Sequence, residues 1–100
     1  MNQSNHEILI VDDDQNNRFL LTTLLEKVGY KTKTATNGEH ALEVLKQYKP
    51  DLILLDIKMP LMDGHETAVE IKNDPEFFDT PILFISSMND SKNIIQAFED

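Results

Sequence analysis

The chain has 100 residues, which is the size of a single domain. Its 18 acidic and 9 basic residues give a formal net charge of −9, so its surface repels nucleic-acid phosphates and anionic membranes. The absence of cysteine excludes disulfides and thiolate zinc sites. The polar residues 1–7 are followed by an apolar run too short for a signal peptide or a membrane span, which predicts a cytoplasmic protein.

Four strands are predicted along the chain. Three continuous apolar runs, residues 8–11, 52–55 and 82–85, predict strands that are buried on both faces, as in a parallel sheet. Residues 30–36 instead alternate β-forming residues with two lysines, which predicts a half-exposed edge strand.

The segments between the strands carry helical patterns. After the acidic residues 12–14, the inward face of a first helix is predicted to hold Leu21, Leu24, Leu25 and Val28. Further helices are predicted to begin at Gly38, at Gly64 and after residues 89–91, and the aromatics Phe77 and Phe78 are expected to anchor the loop after the third. Four alternating strand–helix units with right-handed crossovers predict an α/β doubly wound parallel sheet.

Polar residues follow the buried strands directly. Asp12 and Asp13 follow the first, Asp56 follows the third, and Ser86 follows the fourth. Ligands of doubly wound sheets bind beyond the carboxyl ends of the strands, at the point where the strand order reverses. If the first and third strands are neighbours there, three carboxylates meet and repel one another unless a cation lies among them. Hard oxygen ligands favour Mg²⁺ or Mn²⁺ over zinc.

A carboxylate beside Mg²⁺ is a reasonable acceptor for a phosphoryl group. The cation would neutralise developing charge while the carboxylate attacks in line to form an acyl phosphate. A hydroxyl one strand away, at Ser86, is placed to contact the transferred group.

Three segments carry a resemblance to a known family. Residues 8–14 (ILIVDDD), 56–64 (DIKMPLMDG) and 80–87 (TPILFISS) resemble, in order and register, the successive signatures of the response-regulator receiver domain of two-component signalling. The resemblance implies a flavodoxin-like sheet of strand order 2-1-3-4, with a fifth strand and helix, including a lysine, expected beyond Asp100. We therefore expect residues 1–100 to be a C-terminally truncated receiver domain.

The resemblance also implies a role for each site residue. Asp56 corresponds to the phospho-acceptor, Asp13 to a direct Mg²⁺ ligand, and Asp12 to a ligand acting largely through a bound water. The backbone carbonyl of Lys58 would complete the protein ligands. Ser86 occupies the position of the switch hydroxyl that binds the phosphoryl group.

The function implied by the resemblance is a signalling switch with self-catalysed phosphotransfer. A sensor histidine kinase or a histidine phosphotransfer protein would donate the phosphoryl group, and the surface around Ser86 and the fourth helix would change. Asn17 and Arg18 match a pattern common on the first helix of phosphorelay and hybrid-kinase receivers. Self-association through the fourth helix, giving a homodimer, is a further partner hypothesis.

Other interpretations of the same residues remain open. Residues 12–14 could serve only to cap a helix, and Ser86 could be an ordinary hydroxyl at a strand end. A pseudo-receiver that docks without phosphorylation is the alternative function. A Mg²⁺-dependent phosphatase is a third class, but it needs a general acid near the nucleophile, whereas Lys58 lies two residues after Asp56.

Overall fold

A computed structural model describes residues 6–59 and 62–85 of the chain. These residues form four strands and three helices, in the order β1 (Glu7–Val11), α1 (Gln15–Lys27), β2 (Lys31–Ala35), α2 (Gly38–Leu45), β3 (Leu52–Asp56), α3 (Gly64–Lys72) and β4 (Ile82–Ile85). The predicted fourth helix and Ser86 lie outside the described residues. Over the ranges that are described, no helix combines the length and apolar character needed to cross a membrane.

The strands form one parallel sheet with the order β2-β1-β3-β4, as predicted. In the middle of this sheet, Ile10 of β1 pairs with Thr34 of β2 on one side and with Leu54 of β3 on the other. Because β1 and β3 are adjacent and parallel, their carboxyl ends meet at the same edge of the sheet. This adjacency is the condition on which the predicted carboxylate cluster depends.

The central strands β1 and β3 are covered on both faces, which explains their continuous apolar runs. In β4, by contrast, Phe84 is 38% exposed, so the prediction of burial on both faces is wrong there. Leu9 and Val11 of β1 face a core formed with α2 and α3, whereas Ile8 and Ile10 face a second core formed with α1. Side chains alternate between the two faces of a strand, so a strand covered on both sides carries apolar residues at every position. The predicted α/β doubly wound class is confirmed.

Helix α1 is oriented differently from the prediction. Its buried residues are Asn17, Leu21 and Leu25, whereas Leu24 is exposed and Val28 is 68% exposed, so the predicted core role is wrong for these two. The buried stripe repeats every fourth residue and begins at a polar side chain, which the apolar pattern alone did not detect.

The connection between α3 and β4 is held by one buried aromatic residue. Phe77 lies in the core, whereas its neighbour Phe78 is exposed, so the prediction that both anchor the loop is wrong for Phe78. The Lys72 ammonium group donates hydrogen bonds to the carbonyls of Phe78 and Thr80, at 3.0 and 2.5 Å. These bonds tie the backbone of the connection to α3 without help from the Phe78 ring.

Candidate active site

Three carboxylates meet at the carboxyl edge of the sheet. Asp12 and Asp13 follow β1, Asp56 ends β3, and one oxygen from each of the three lies within 4.8 Å of the others. Asp12 is 1% exposed and Asp56 is 5% exposed, while Asp13 faces solvent. The chain therefore brings together the three acidic residues that the sequence placed at the ends of neighbouring strands.

The environment of Asp56 favours its protonated form. Burial, followed by the charge of the neighbouring Asp12 carboxylate, raises the pKa of Asp56 from 3.8 to about 7. The Asp13 carboxylate acts in the same direction, and the Lys58 N–H, which lies 3.2 Å from Asp56 Oδ1, acts in the opposite one. A bound cation would reverse this balance because it favours the ionised carboxylate.

Asp12 is fixed by hydrogen bonds at its side chain and its backbone. Its Oδ1 accepts the Asp14 N–H at 2.9 Å, and its Oδ2 accepts the Asn17 amide at 2.5 Å. Its carbonyl oxygen accepts a hydrogen bond from Arg18 Nη1 at 2.7 Å, and its own N–H donates to the Ala35 carbonyl at 3.1 Å. Such a network holds one orientation of the Asp12 carboxylate.

The capping interpretation of residues 12–14 applies to one of them. Asp14 is the N-cap of α1, and its Oδ1 accepts the N–H of Asn17 at 2.9 Å. Asp12 and Asp13 are thereby left for the cluster with Asp56. The capping interpretation therefore holds for Asp14, while Asp12 and Asp13 lie in the carboxylate cluster.

The segment that follows Asp56 is anchored at the start of α3. The Gly64 N–H donates to the Ile57 carbonyl at 2.9 Å, and the Ile57 N–H donates to the Ile85 carbonyl at 3.0 Å. The Met59 side chain is buried in the core. The two hydrogen bonds fix the backbone of Ile57, the residue before Lys58, whose carbonyl was predicted to be a cation ligand.

The start of α3 carries a capping box. Asp63 Oδ1 accepts the Glu66 N–H at 2.9 Å, while Glu66 Oε1 accepts the Asp63 N–H at 3.1 Å. Asp63 is thus the N-cap residue at the entry of α3. The capping box also stabilises the helix end that packs against Asp56.

The donor set of the cluster suits a hard divalent cation. It consists of three carboxylates, which supply the oxygen ligands that Mg²⁺ prefers and none of the nitrogen or sulfur ligands typical of zinc. Two of the three are almost fully buried, so their mutual repulsion is weakly screened without a counter-charge. The residues present therefore fit the cation that the sequence predicts.

Comparison with known proteins assigns the family. The sequence model described as "Response regulator receiver domain" matches residues 8–100. This chain belongs to the response regulator receiver family. Receiver domains are the phospho-accepting modules of two-component signalling, so the general class of function predicted from the sequence is confirmed.

Individual relatives agree with this assignment. The chain is 38% identical over 98 residues to "Probable transcriptional regulator ycf27" of Cyanidium caldarium, covering 98% of this chain and 38% of that protein. The chain thus spans about two fifths of the length of the curated relative, and the similarity concerns that part alone.

Solved structures show the same fold. The N-terminal domain of a response regulator receiver protein from Methanoculleus marisnigri JR1 superposes with a TM-score of 0.80 at 34% identity, covering 96% of this chain and 95% of that one. The signal receiver domain of a signal transduction histidine kinase from Syntrophus aciditrophicus gives 0.78 at 33% identity, covering 94% and 71%. Both similarities support the flavodoxin-like receiver fold.

Two features of the site were missed at the level of sequence. The contact of the Asn17 amide with Asp12 was not foreseen, although Asn17 lies four residues before Leu21 on the buried stripe of α1. The close packing of Gly64 on the Asp56 backbone was also missed. The position of Asn17, in phase with the apolar stripe of α1, was the available signal for its contact with Asp12. The packing of Gly64 on Asp56 depends on the approach of two backbone segments and has no local sequence signal.

Proposed function

We propose that this receiver domain, comprising residues 1–100, accepts a phosphoryl group on Asp56 in a Mg²⁺-dependent reaction in the cytoplasm. The observation that carries the proposal is the meeting of Asp12, Asp13 and Asp56 within 4.8 Å at the ends of two adjacent strands. Structural acidic residues have no reason to converge in this way, since burying like charges together costs folding free energy.

The protein ligands for the cation would be Asp13, Asp56 and the backbone carbonyl of Lys58. Asp12 would act largely through a bound water, because both of its oxygens already accept hydrogen bonds from the protein. When bound, Mg²⁺ supplies positive charge that offsets the negative charge of the carboxylates and of the incoming phosphoryl group. Mn²⁺ would serve the same purpose.

Asp56 is the nucleophile in this proposal. Its ionised carboxylate oxygen forms a bond to phosphorus as the bond from phosphorus to the donor imidazole nitrogen breaks, and the nitrogen keeps the electron pair. The Lys58 N–H, 3.2 Å from Asp56 Oδ1, helps to hold the carboxylate in its ionised form. The product is an acyl phosphate on Asp56.

The response to phosphorylation is proposed to pass through Ser86. Ile85, the residue before it, pairs with Asp56 across β3 and β4, and its carbonyl accepts the Ile57 N–H at 3.0 Å. Binding of the Ser86 hydroxyl to the phosphoryl group would change the surface around Ser86 and the fourth helix.

The phosphoryl donor is proposed to be a sensor histidine kinase or a histidine phosphotransfer protein. The similarity to the receiver domain of a signal transduction histidine kinase supports a donor of this class. The match of Asn17 and Arg18 to the pattern of phosphorelay receivers supports it as well.

Intact-mass measurement tests the proposal directly. The chain is incubated with acetyl phosphate in Mg²⁺ or in EDTA, alongside Asp56→Asn and the control Asp51→Asn, which changes an exposed carboxylate just before β3. We expect one Mg²⁺-dependent phosphoryl adduct on the wild-type and control chains and none on Asp56→Asn.

Two other results would contradict the proposal. Labelling that survives in Asp56→Asn would place the acceptor elsewhere. No adduct on any chain, together with no saturable response to beryllofluoride in Mg²⁺, would favour the docking pseudo-receiver, since beryllofluoride mimics an acyl phosphate.

A further inference from the structure

Asn17 is a buried polar residue on an otherwise apolar stripe. It is 4% exposed and shares the inner face of α1 with Leu21 and Leu25. A buried amide costs free energy unless its polar atoms find partners, whereas a leucine of similar size would pack there without that cost. What asparagine adds at this position, compared with leucine, is therefore the hydrogen bond of its amide.

The partner of this amide is the most buried carboxylate of the cluster. Asn17 Nδ2 lies 2.5 Å from Asp12 Oδ2, while the Asp14 N–H binds Asp12 Oδ1 at 2.9 Å. The backbone N–H of Asn17 in turn donates to Asp14 Oδ1 at 2.9 Å. The three residues form a closed hydrogen-bonded unit in which Asp12 is restrained at both oxygens.

We propose that Asn17 is a positioning residue for the cation site. Its amide sets the orientation in which the Asp12 carboxylate faces Asp13 and Asp56, so that the three act on one cation. This inference rests on the proposed Mg²⁺-dependent function. Side chains of the outer shell of a metal site, to which Asp12 and Asn17 would belong, change metal affinity by about 10- to 100-fold when they are removed.

A purely structural role for Asn17 predicts a different outcome. Loss of the amide would then lower the stability of the domain but leave the affinity of the folded molecules for Mg²⁺ unchanged. Measuring Mg²⁺ binding well below the unfolding temperature separates the two roles, because only folded protein contributes to the titration.

The test compares two matched substitutions on the same helix turn. Asn17→Leu keeps the number and branching of the side-chain heavy atoms and removes the donor to Asp12, and Asn16→Leu makes the same change at an exposed neighbour. Mg²⁺ is titrated into each ¹⁵N-labelled chain while backbone amide shifts are followed by NMR. We expect the dissociation constant of Asn17→Leu to rise about tenfold over wild type and that of Asn16→Leu to stay at the wild-type value.

The outcomes are distinct. Equal dissociation constants for Asn17→Leu, Asn16→Leu and wild type would overturn the positioning role and leave the proposed function standing. No Mg²⁺ binding by the wild-type chain would overturn the proposed function and this inference with it. If far-ultraviolet circular dichroism shows Asn17→Leu to be unfolded, Asn17→Ala is compared with Asn16→Ala under the same expectation and the same contradicting result.

Discussion

The backbone of Gly64 lies directly against the backbone carbonyl of Asp56. A Cβ atom placed on Gly64 would come within 2.4 Å of the Asp56 carbonyl oxygen and 2.7 Å of the Ile57 Cα. Both obstacles are backbone atoms and have no rotamer into which to move. The start of α3 and Asp56, the proposed phospho-acceptor, are therefore packed as one unit.

Replacing Gly64 should disturb both stability and the site. For Gly64→Ala we expect the free energy of unfolding to fall by roughly 2–3 kcal/mol, as for other overpacked positions, and Mg²⁺ binding to weaken. Urea denaturation and Mg²⁺ titration measure the two effects. A wild-type free energy of unfolding together with a wild-type Mg²⁺ affinity would contradict this expectation and show that the backbone accommodates the added methyl group.

Gly29→Ala is the control for Gly64→Ala. Gly29 has a φ of 105° and open space around its Cβ position, so alanine there is strained by its backbone conformation alone. We expect a loss of about 1–2 kcal/mol with no change in Mg²⁺ affinity. This separates a general loss of stability from a local effect on the site.

Removing the Asp56 charge should stabilise the cation-free protein at high pH. Because the pKa of Asp56 is raised to about 7, the folded state holds this proton more tightly than the unfolded state. The contribution of this proton to the free energy of unfolding is complete below about pH 4 and is lost as the pH rises through 7. In EDTA at pH 8, the free energy of unfolding of Asp56→Asn should exceed that of wild type by roughly 2 kcal/mol, after allowance for solvent screening. At pH 5 the difference should be much smaller. Equal urea midpoints at pH 8 would contradict this.

Protons should compete with Mg²⁺ at the same carboxylate. Below pH 7 the wild-type Asp56 is increasingly protonated, so the dissociation constant for Mg²⁺ should rise, approaching about tenfold per pH unit for one displaced proton. Calorimetric titrations at pH 6 and pH 8 measure this change. A dissociation constant that does not vary with pH would indicate that the cation binds without displacing a proton from Asp56.

Asp63 should contribute to stability and not to phosphorylation. Asp63→Ala removes the capping box with Glu66 and should cost about 1 kcal/mol, whereas Asp63→Asn keeps an N-cap acceptor and should cost less. Thermal unfolding and Mg²⁺-dependent labelling are measured on both variants. Loss of labelling at the permissive temperature would instead assign Asp63 to the site.

The central strands were predictable because burial on both faces leaves a continuous apolar run, and β4 carries such a run although its Phe84 is exposed. The three apolar runs all fall within observed strands, at residues 8–11, 52–55 and 82–85. The alternating run, residues 30–36, contains the edge strand β2. The strand order was not contained in that pattern, since local hydrophobicity does not say which strands are neighbours. It came from the resemblance to the receiver family.

The errors on α1 have a common physical cause. The pattern of apolar residues marked Leu24 and Val28 as inward, whereas the observed stripe runs through Asn17, Leu21 and Leu25. A polar residue that is buried for the sake of a hydrogen bond breaks the rule that inward means apolar. The acidic residues of the cluster were predictable because each directly follows a recognisable strand.

The most direct test of the central claim is to locate the phosphoryl group on the chain. After reaction with acetyl phosphate and Mg²⁺, borohydride reduction converts an aspartyl phosphate into homoserine, which peptide mass spectrometry then places in the sequence. We predict homoserine at position 56 alone, in reactions that contain Mg²⁺. Homoserine at position 12 or 13 would contradict the assignment of Asp56 as the acceptor, and an equal yield at position 56 in EDTA would contradict the dependence on Mg²⁺.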